Sequence, residues 1–305
     1  MIKKISFAFF LSFCLIGLGM FWHQLSAGFR LQKIAFSIPE NTEWETFLPE
    51  KEKGEVRKIL QQKFTYLDKG RQSYVFLSED GKYVLKLFRY HLVRKRFSLY
   101  IPYFLKFWDK DAGRKLFAKK GQFENWMESY KLAFEKLKEE TGLIYLHLVK
   151  TSFLDQKIEV LDKLGRSYFL PLDSTGFLLQ KKADLFSNVV GDLIRKKDRT
   201  NLKKVFKAYF ATVASRHQKG IANKDHSWIK NYGIIGFNEA VEIDVGRYSE
   251  VSPAKKEEDL ALDLYLYSTP FRKYLSKAFP ECLSDYKEAI EEESIKWFER
   301  AEKNL

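Results

Sequence analysis

The sequence predicts an α+β protein: a strand-rich first half holding one inserted helix, a helix-rich remainder, and an apolar helix in front. Three observations carry this. Short β-type runs follow one another between residues 64 and 88, apolar side chains recur at helical spacing over 122–140 and 201–219, and a long apolar stretch, broken only by Ser6, Ser12 and two glycines, lies near the start of the chain.

The opening element reads Met1, Ile2, Lys3, Lys4 and then runs apolar from Ile5 to Trp22. A basic start, an apolar middle and the small residues Ser26, Ala27 and Gly28 suit a signal peptide. The run is also long enough for an uncleaved signal-anchor, so residues 1–28 are expected to place the protein at a membrane or to export it. Residues 29–60, with Pro39, Asn41 and Pro49 as breakers, read as a linker running into a short helix.

Strands are expected at Phe64–Leu67, Ser73–Leu77 and Tyr83–Phe88, the last two joined by the turn Ser78-Glu79-Asp80-Gly81-Lys82. Phe123, Trp126, Met127, Tyr130, Phe134 and Leu137 then share one helix face, and Gly142 ends that helix. Two further strands, Lys157–Leu161 and Gly176–Gln180, bring the expected number to five. A lobe boundary follows, dividing 61–182 from 183–305. Leu202, Val205, Phe206, Tyr209, Phe210 and Val213 mark a second long helix that stops at Gly220. After it come a loop with two short strands and C-terminal helices rich in Glu, Lys and aromatic residues.

Composition bounds the function. In 305 residues, 45% apolar and 16% aromatic side chains suffice for one two-lobed domain or two small ones, and exclude a disordered chain. The net charge of +13 favours an acidic partner. Cys14 and Cys282 are the only cysteines, which excludes a disulfide framework and a cysteine zinc site.

The motifs lie around the second long helix. Ser215-Arg216-His217-Gln218-Lys219-Gly220-Ile221-Ala222-Asn223-Lys224-Asp225 is followed by Asn231 and by Asp244-Val245-Gly246, which closes the apolar run Ala240-Val241-Glu242-Ile243. Upstream, Lys86 lies in Tyr83-Val84-Leu85-Lys86, and Gly70-Arg71-Gln72-Ser73-Tyr74-Val75 precedes it. In this order the residues resemble the protein-kinase-like superfamily, in its compact form that phosphorylates lipopolysaccharide sugars or small hydroxylated molecules. The resemblance runs from about Gly70 to Gly246. It implies a bilobal protein-kinase-like fold, with a five-stranded antiparallel N-lobe carrying one inserted helix and an abbreviated helical C-lobe.

It further implies ATP and Mg2+ as cofactors. Asp225 would orient the acceptor hydroxyl, Asn231 and Asp244 would hold magnesium, and Lys86 would grip the phosphates. Gly70, Ser73 and Val75 would line the nucleotide. The carboxylate partner of Lys86 would be Glu128, chosen over Glu124 and Glu135 on the same helix flank. The sequence departs from the family at three places. Asn-Lys-Asp stands where His-Arg-Asp is usual, Asn231 follows Asp225 by six residues instead of five, and the nucleotide loop keeps one glycine. These departures leave a rival open: a catalytically inactive pseudokinase module that binds a partner or an anionic membrane surface.

Residues 89–120 form a basic aromatic insert, with ten Lys or Arg against Asp109 and Asp111. Interleaved aromatics and cations suit an anionic membrane or a glycolipid. No nucleic-acid-binding module surrounds the patch, so no nucleic acid is expected as a partner. The sequence sets no oligomeric state.

Overall fold

In the computed structural model, residues 2–34, 42–70, 72–89, 112–225, 227–251 and 268–292 are described. The side chains of 2–12, 32, 42, 112–123, 228 and 229 stand outside that description. Most of the basic aromatic insert, and with it the expected membrane patch, therefore lies outside the described residues, as does Arg71.

The chain is a mixed α+β protein that divides into two compact units. The first comprises Met1–Ala112 and His147–Leu179, the second Gly113–Leu146 and Gln180–Leu305. The long inserted helix groups with the second unit.

In the first unit, helix α1 (Ile2–Leu25) is followed by the short turn α2 (Leu31–Ile34) and by α3 (Glu50–Leu60). Strands β1 (Phe64–Lys69), β2 (Ser73–Ser78) and β3 (Tyr83–Phe88) form an antiparallel meander. After helices α4 (Ala112–Lys136) and α5 (Lys138–Thr141) and strand β4 (Leu143–His147), which group with the second unit, come β5 (Lys157–Leu161), β6 (Ser167–Pro171) and β7 (Phe177–Lys181). The sheet has seven strands in the order β4-β7-β3-β2-β1-β5-β6, not five. Nor is it wholly antiparallel, because β1 and β5 run parallel from Phe64↔Val160.

Alternation sets the core of this unit. Tyr74 and Phe76 on β2 pair with Leu87 and Leu85 on β3, and all four are fully buried. Phe29 is 2% exposed and packs edge-on against Tyr74, Phe76 and Tyr168, with centroids 5.1, 5.5 and 5.4 Å away. Ile34 is buried too. Burial of each such side chain contributes about 1.5–3 kcal/mol.

The second unit begins on α4 and α5. Gly142 terminates α5 in a left-handed conformation (φ +63°), where a side chain would be strained and where its Cβ would touch Lys181 and Val241 at 3.4 Å. Strand β8 (Asp184–Leu185) leads into α6 (Phe186–Arg195) and α7 (Arg199–Gln218). The Asp198 side chain caps α7 by accepting from the Asn201 amide. Next come β9 (Ile221–Asn223), the single turn α8 (Trp228–Asn231), and strands β10 (Tyr232–Ile235), β11 (Glu239–Glu242) and β12 (Tyr248–Glu250). They form two small sheets, β11-β10-β8 and β12-β9. Two helices, 268–278 and 283–292, complete the described chain. Phe206, Tyr209, Phe210, Phe271 and Tyr286 pack edge-to-face in one aromatic core.

Among the described residues, no helix is long and apolar enough to cross a membrane.

The start of α7 is fixed to the C-terminal helices by an ion pair. Asp285, 3% exposed, accepts from Arg199 Nε and Nη2, each at 2.9 Å. The Arg199 hydrogen bonds hold the Asp285 carboxyl below its usual range against the opposing effect of burial. The folded state thus binds this proton less tightly than the unfolded chain. Its contribution is present above the ordinary carboxylate value near pH 4 and is lost as pH falls through the depressed folded value. In acid titration followed by circular dichroism, Asp285→Asn is expected to be less stable near neutrality, and to lose less further stability than the native chain below about pH 4.

Candidate functional site

In the first unit the β2–β3 ladder sorts its residues onto two faces. Tyr74, Phe76, Leu85 and Leu87 fill the core, while Ser73, Val75 and Lys86 belong to the opposite face. Val75 and Lys86 are direct cross-strand partners, and both are half-buried. Gly70 is exposed at the connection of β1 and β2, where its amide donates to the Ser73 carbonyl at 2.9 Å and its carbonyl accepts from Arg89 at 3.0 Å. A Cβ at Gly70 would meet nothing closer than the Ser73 carbonyl oxygen at 3.7 Å. The turn itself therefore makes no steric demand for glycine.

In the second unit, Asp225, Asn231 and Asp244 come from three successive segments that hydrogen bonds draw together. Asp225 is half-buried, and its amide donates to Asn223 Oδ1 at 2.8 Å. Asp225 Oδ1 accepts from the Ser227 amide at 3.1 Å, and Oδ2 lies 3.8 Å from Arg247 Nε. Asn231, 4% exposed, reaches the Asp225 carbonyl through Nδ2 at 3.5 Å. The Asn231 carbonyl in turn accepts from the Ile243 amide at 2.7 Å, one residue before Asp244. Asp244 is exposed, and its carboxylate receives the Gly246 amide at 3.3 Å. Between Asp225 and Asn231 the α8 turn is closed by the Asn231 amide, which donates to the Ser227 carbonyl at 3.1 Å.

Beneath these groups lies a feature that sequence reasoning missed. Glu242 is fully buried and accepts three hydrogen bonds: Arg216 Nε at 2.7 Å, Asn223 Nδ2 at 2.8 Å and the Tyr248 hydroxyl at 2.8 Å. Arg216 is also fully buried and donates from Nη1 to the Ile221 carbonyl at 2.7 Å. One carboxylate thus joins α7, β9, β11 and β12. Asn223 links it to the loop above, donating from Nδ2 to Glu242 and accepting the Asp225 amide at Oδ1. The available signal in sequence was an acid inside the apolar run Ala240-Val241-Glu242-Ile243, where a lone charge requires a buried counter-ion.

Helix α4 meets the segment after Asp244 through Ser129, whose hydroxyl donates to the Val245 carbonyl at 2.5 Å and accepts from the Tyr248 amide at 2.7 Å. Glu128, next to it, is exposed, as is Glu135, which pairs with Lys131 at 3.7 Å. Glu124 is half-buried, one turn from the buried Met127. His217 is buried at the end of α7. His226 lies outside the described residues.

Among the described residues, no group of three or more His, Cys, Asp or Glu side chains is arranged to hold a metal ion. Comparison of the sequence with protein-family models and with curated proteins gives no match.

Removing one partner of a buried ion pair leaves the other charge unmatched, at a cost of about 3–5 kcal/mol. Glu242→Gln is therefore expected to lower unfolding free energy by about that amount in urea titrations. Asp244→Asn, at an exposed position, should change it by no more than about 0.5 kcal/mol.

Proposed function

We propose that this chain is a membrane-associated, protein-kinase-like phosphotransferase that moves the terminal phosphoryl group of ATP to a hydroxyl acceptor, a glycolipid sugar being the acceptor class favoured. The observation that supports it best is the lacing of Asp225, Asn231 and Asp244 over one buried carboxylate. Three polar residues separated by up to nineteen positions lie on segments that backbone carbonyls and amides tie together, in the order the resemblance requires.

In this reading the Asp225 carboxylate accepts the proton of the attacking hydroxyl, with Asn223 fixing the backbone from which it projects. Asn231 and Asp244 offer oxygen ligands of the hard type that magnesium takes when nucleotide phosphates and water complete its octahedron. Magnesium, when bound there, would neutralise charge that develops on the transferred phosphoryl oxygens. Lys86 supplies a point charge to the phosphates and Val75, its ladder partner, an apolar contact for the base. Gly70, on which the turn places no steric demand, leaves the backbone open to close approach by phosphate. The carboxylate partner assigned to Lys86 is Glu128, chosen over Glu124 and Glu135.

A second reading is a catalytically silent module of the same fold that binds a partner or an anionic surface. The observation in its favour is the Arg247 guanidinium 3.8 Å from Asp225 Oδ2, an ion pair that already engages the carboxylate the phosphotransferase reading needs free for the acceptor hydroxyl.

Calorimetric titration of the whole chain with ATP and magnesium separates the two. The phosphotransferase reading expects saturable, magnesium-dependent binding that is reduced at least about tenfold in both Lys86→Ala and Asp244→Ala, each lost charge-assisted contact being worth about 1.5–3 kcal/mol. Absence of binding in the native chain would favour the silent module.

A further inference from the structure

The end of α1 is built into the first unit. Ala27 and Gly28 turn the chain with positive φ, +50° and +66°, and a Cβ at Gly28 would strike the His23 ring at 2.3 Å. The turn is held from several sides. The Tyr74 hydroxyl donates to the Gly28 carbonyl at 2.7 Å, Lys33 Nζ to the same oxygen at 2.6 Å, and Lys69 Nζ to the Ala27 carbonyl at 2.9 Å. Phe29 then enters the core.

Two properties of this junction coincide. Along the described part of α1, Phe13, Leu15, Ile16, Leu18, Met20 and Phe21 are each 60–76% exposed, and they point to every side of the helix. A protein groove would cover one stripe of such a helix, whereas acyl chains cover all of it. Where α1 ends, the surface becomes cationic. Arg30 is exposed, Lys33 and Lys69 sit at the turn, and the Arg89 guanidinium lies 5.2 Å from the Tyr74 ring centre. Lys33 and Lys69 donate to adjacent carbonyls of the turn, next to Arg30 in sequence, and Arg89 lies beside Tyr74, whose hydroxyl donates to one of those carbonyls; burial and then the charges of Arg89, Arg30 and Lys69 lower the Lys33 pKa. Trp22, half-exposed, marks the change from apolar to polar, with Arg166 5.3 Å from its ring. Beside the last turns of α1 runs an open groove of about 650 Å³, walled by Ile16, Met20, His23 and Ala27 and rimmed by Lys69.

We infer that Arg30, Lys33, Lys69 and Arg89 form a collar that seats the first unit on the headgroup layer of an anionic phospholipid surface, with the apolar sides of α1 among the acyl chains. The collar is separate from the insert at 89–120 except for Arg89. It also stands apart from the phosphotransferase reading, because lipid binding requires no nucleotide, so either can fail alone.

The test is flotation of the full-length chain with vesicles of phosphatidylcholine alone or of phosphatidylcholine with phosphatidylglycerol. The native chain is expected to associate with both, and more strongly with the anionic vesicles, each collar cation contributing about fivefold. Arg30→Gln, at an exposed position, should lower association with anionic vesicles about fivefold, and Arg30→Gln/Lys33→Gln about 25-fold. Both should leave association with neutral vesicles unchanged. Salt at about 0.5 M should abolish the anionic preference. Circular dichroism of each variant controls for folding. A native chain that binds both vesicle types equally, or an Arg30→Gln variant with the native anionic preference, would overturn the inference.

Discussion

Everything near the candidate site depends on one buried negative charge. Glu242 has no water to solvate it, so its oxygens must be matched by donors, and the three that do so come from a helix and two strands. An apolar cluster of equal volume could hold the same strands together as firmly or more so. It could not orient Asn223, whose amide group reads the carboxylate with one end and the Asp225 backbone with the other. The ionic set therefore specifies direction as well as position, and the loop above inherits that direction.

The first unit achieves a similar separation of roles by alternation. Because successive side chains on a strand point to opposite faces, the residues that stabilise β2 and β3 cannot be the ones proposed to meet a nucleotide. Phe76 and Leu85 can be packed tightly without fixing what Val75 and Lys86 do. A one-residue slip of the ladder would bury the lysine, so the register that builds the core is also the register that presents the charge.

Legibility in the sequence followed the range of the interactions involved. The five expected strands, the hairpin at residues 78–82 and the ends of the helices at Gly142 and Gly220 rest on near neighbours, and periodicity and turn chemistry expose them. β4 escaped notice because Leu143-Ile144-Tyr145-Leu146 is a continuous apolar run with no alternation, and β6 because it is a short edge strand bounded by a proline. The parallel pairing of β1 with β5 joins residues almost a hundred positions apart, beyond any local pattern. At the candidate site, Asp225, Asn231 and Asp244 stood out through their spacing. Arg216, Glu242 and Tyr248 did not: a cation at a helix end and a tyrosine in a strand are ordinary until their burial is known.

The turn at Ala27 and Gly28 has a mechanical meaning. A flexible tether would let the first unit tumble freely about its attachment. Here, left-handed backbone, three hydrogen bonds and a buried phenylalanine remove the slack between α1 and the sheet. The helix acts as the handle of a lever: tilting it must carry β1, β2 and the exposed Gly70 turn with it.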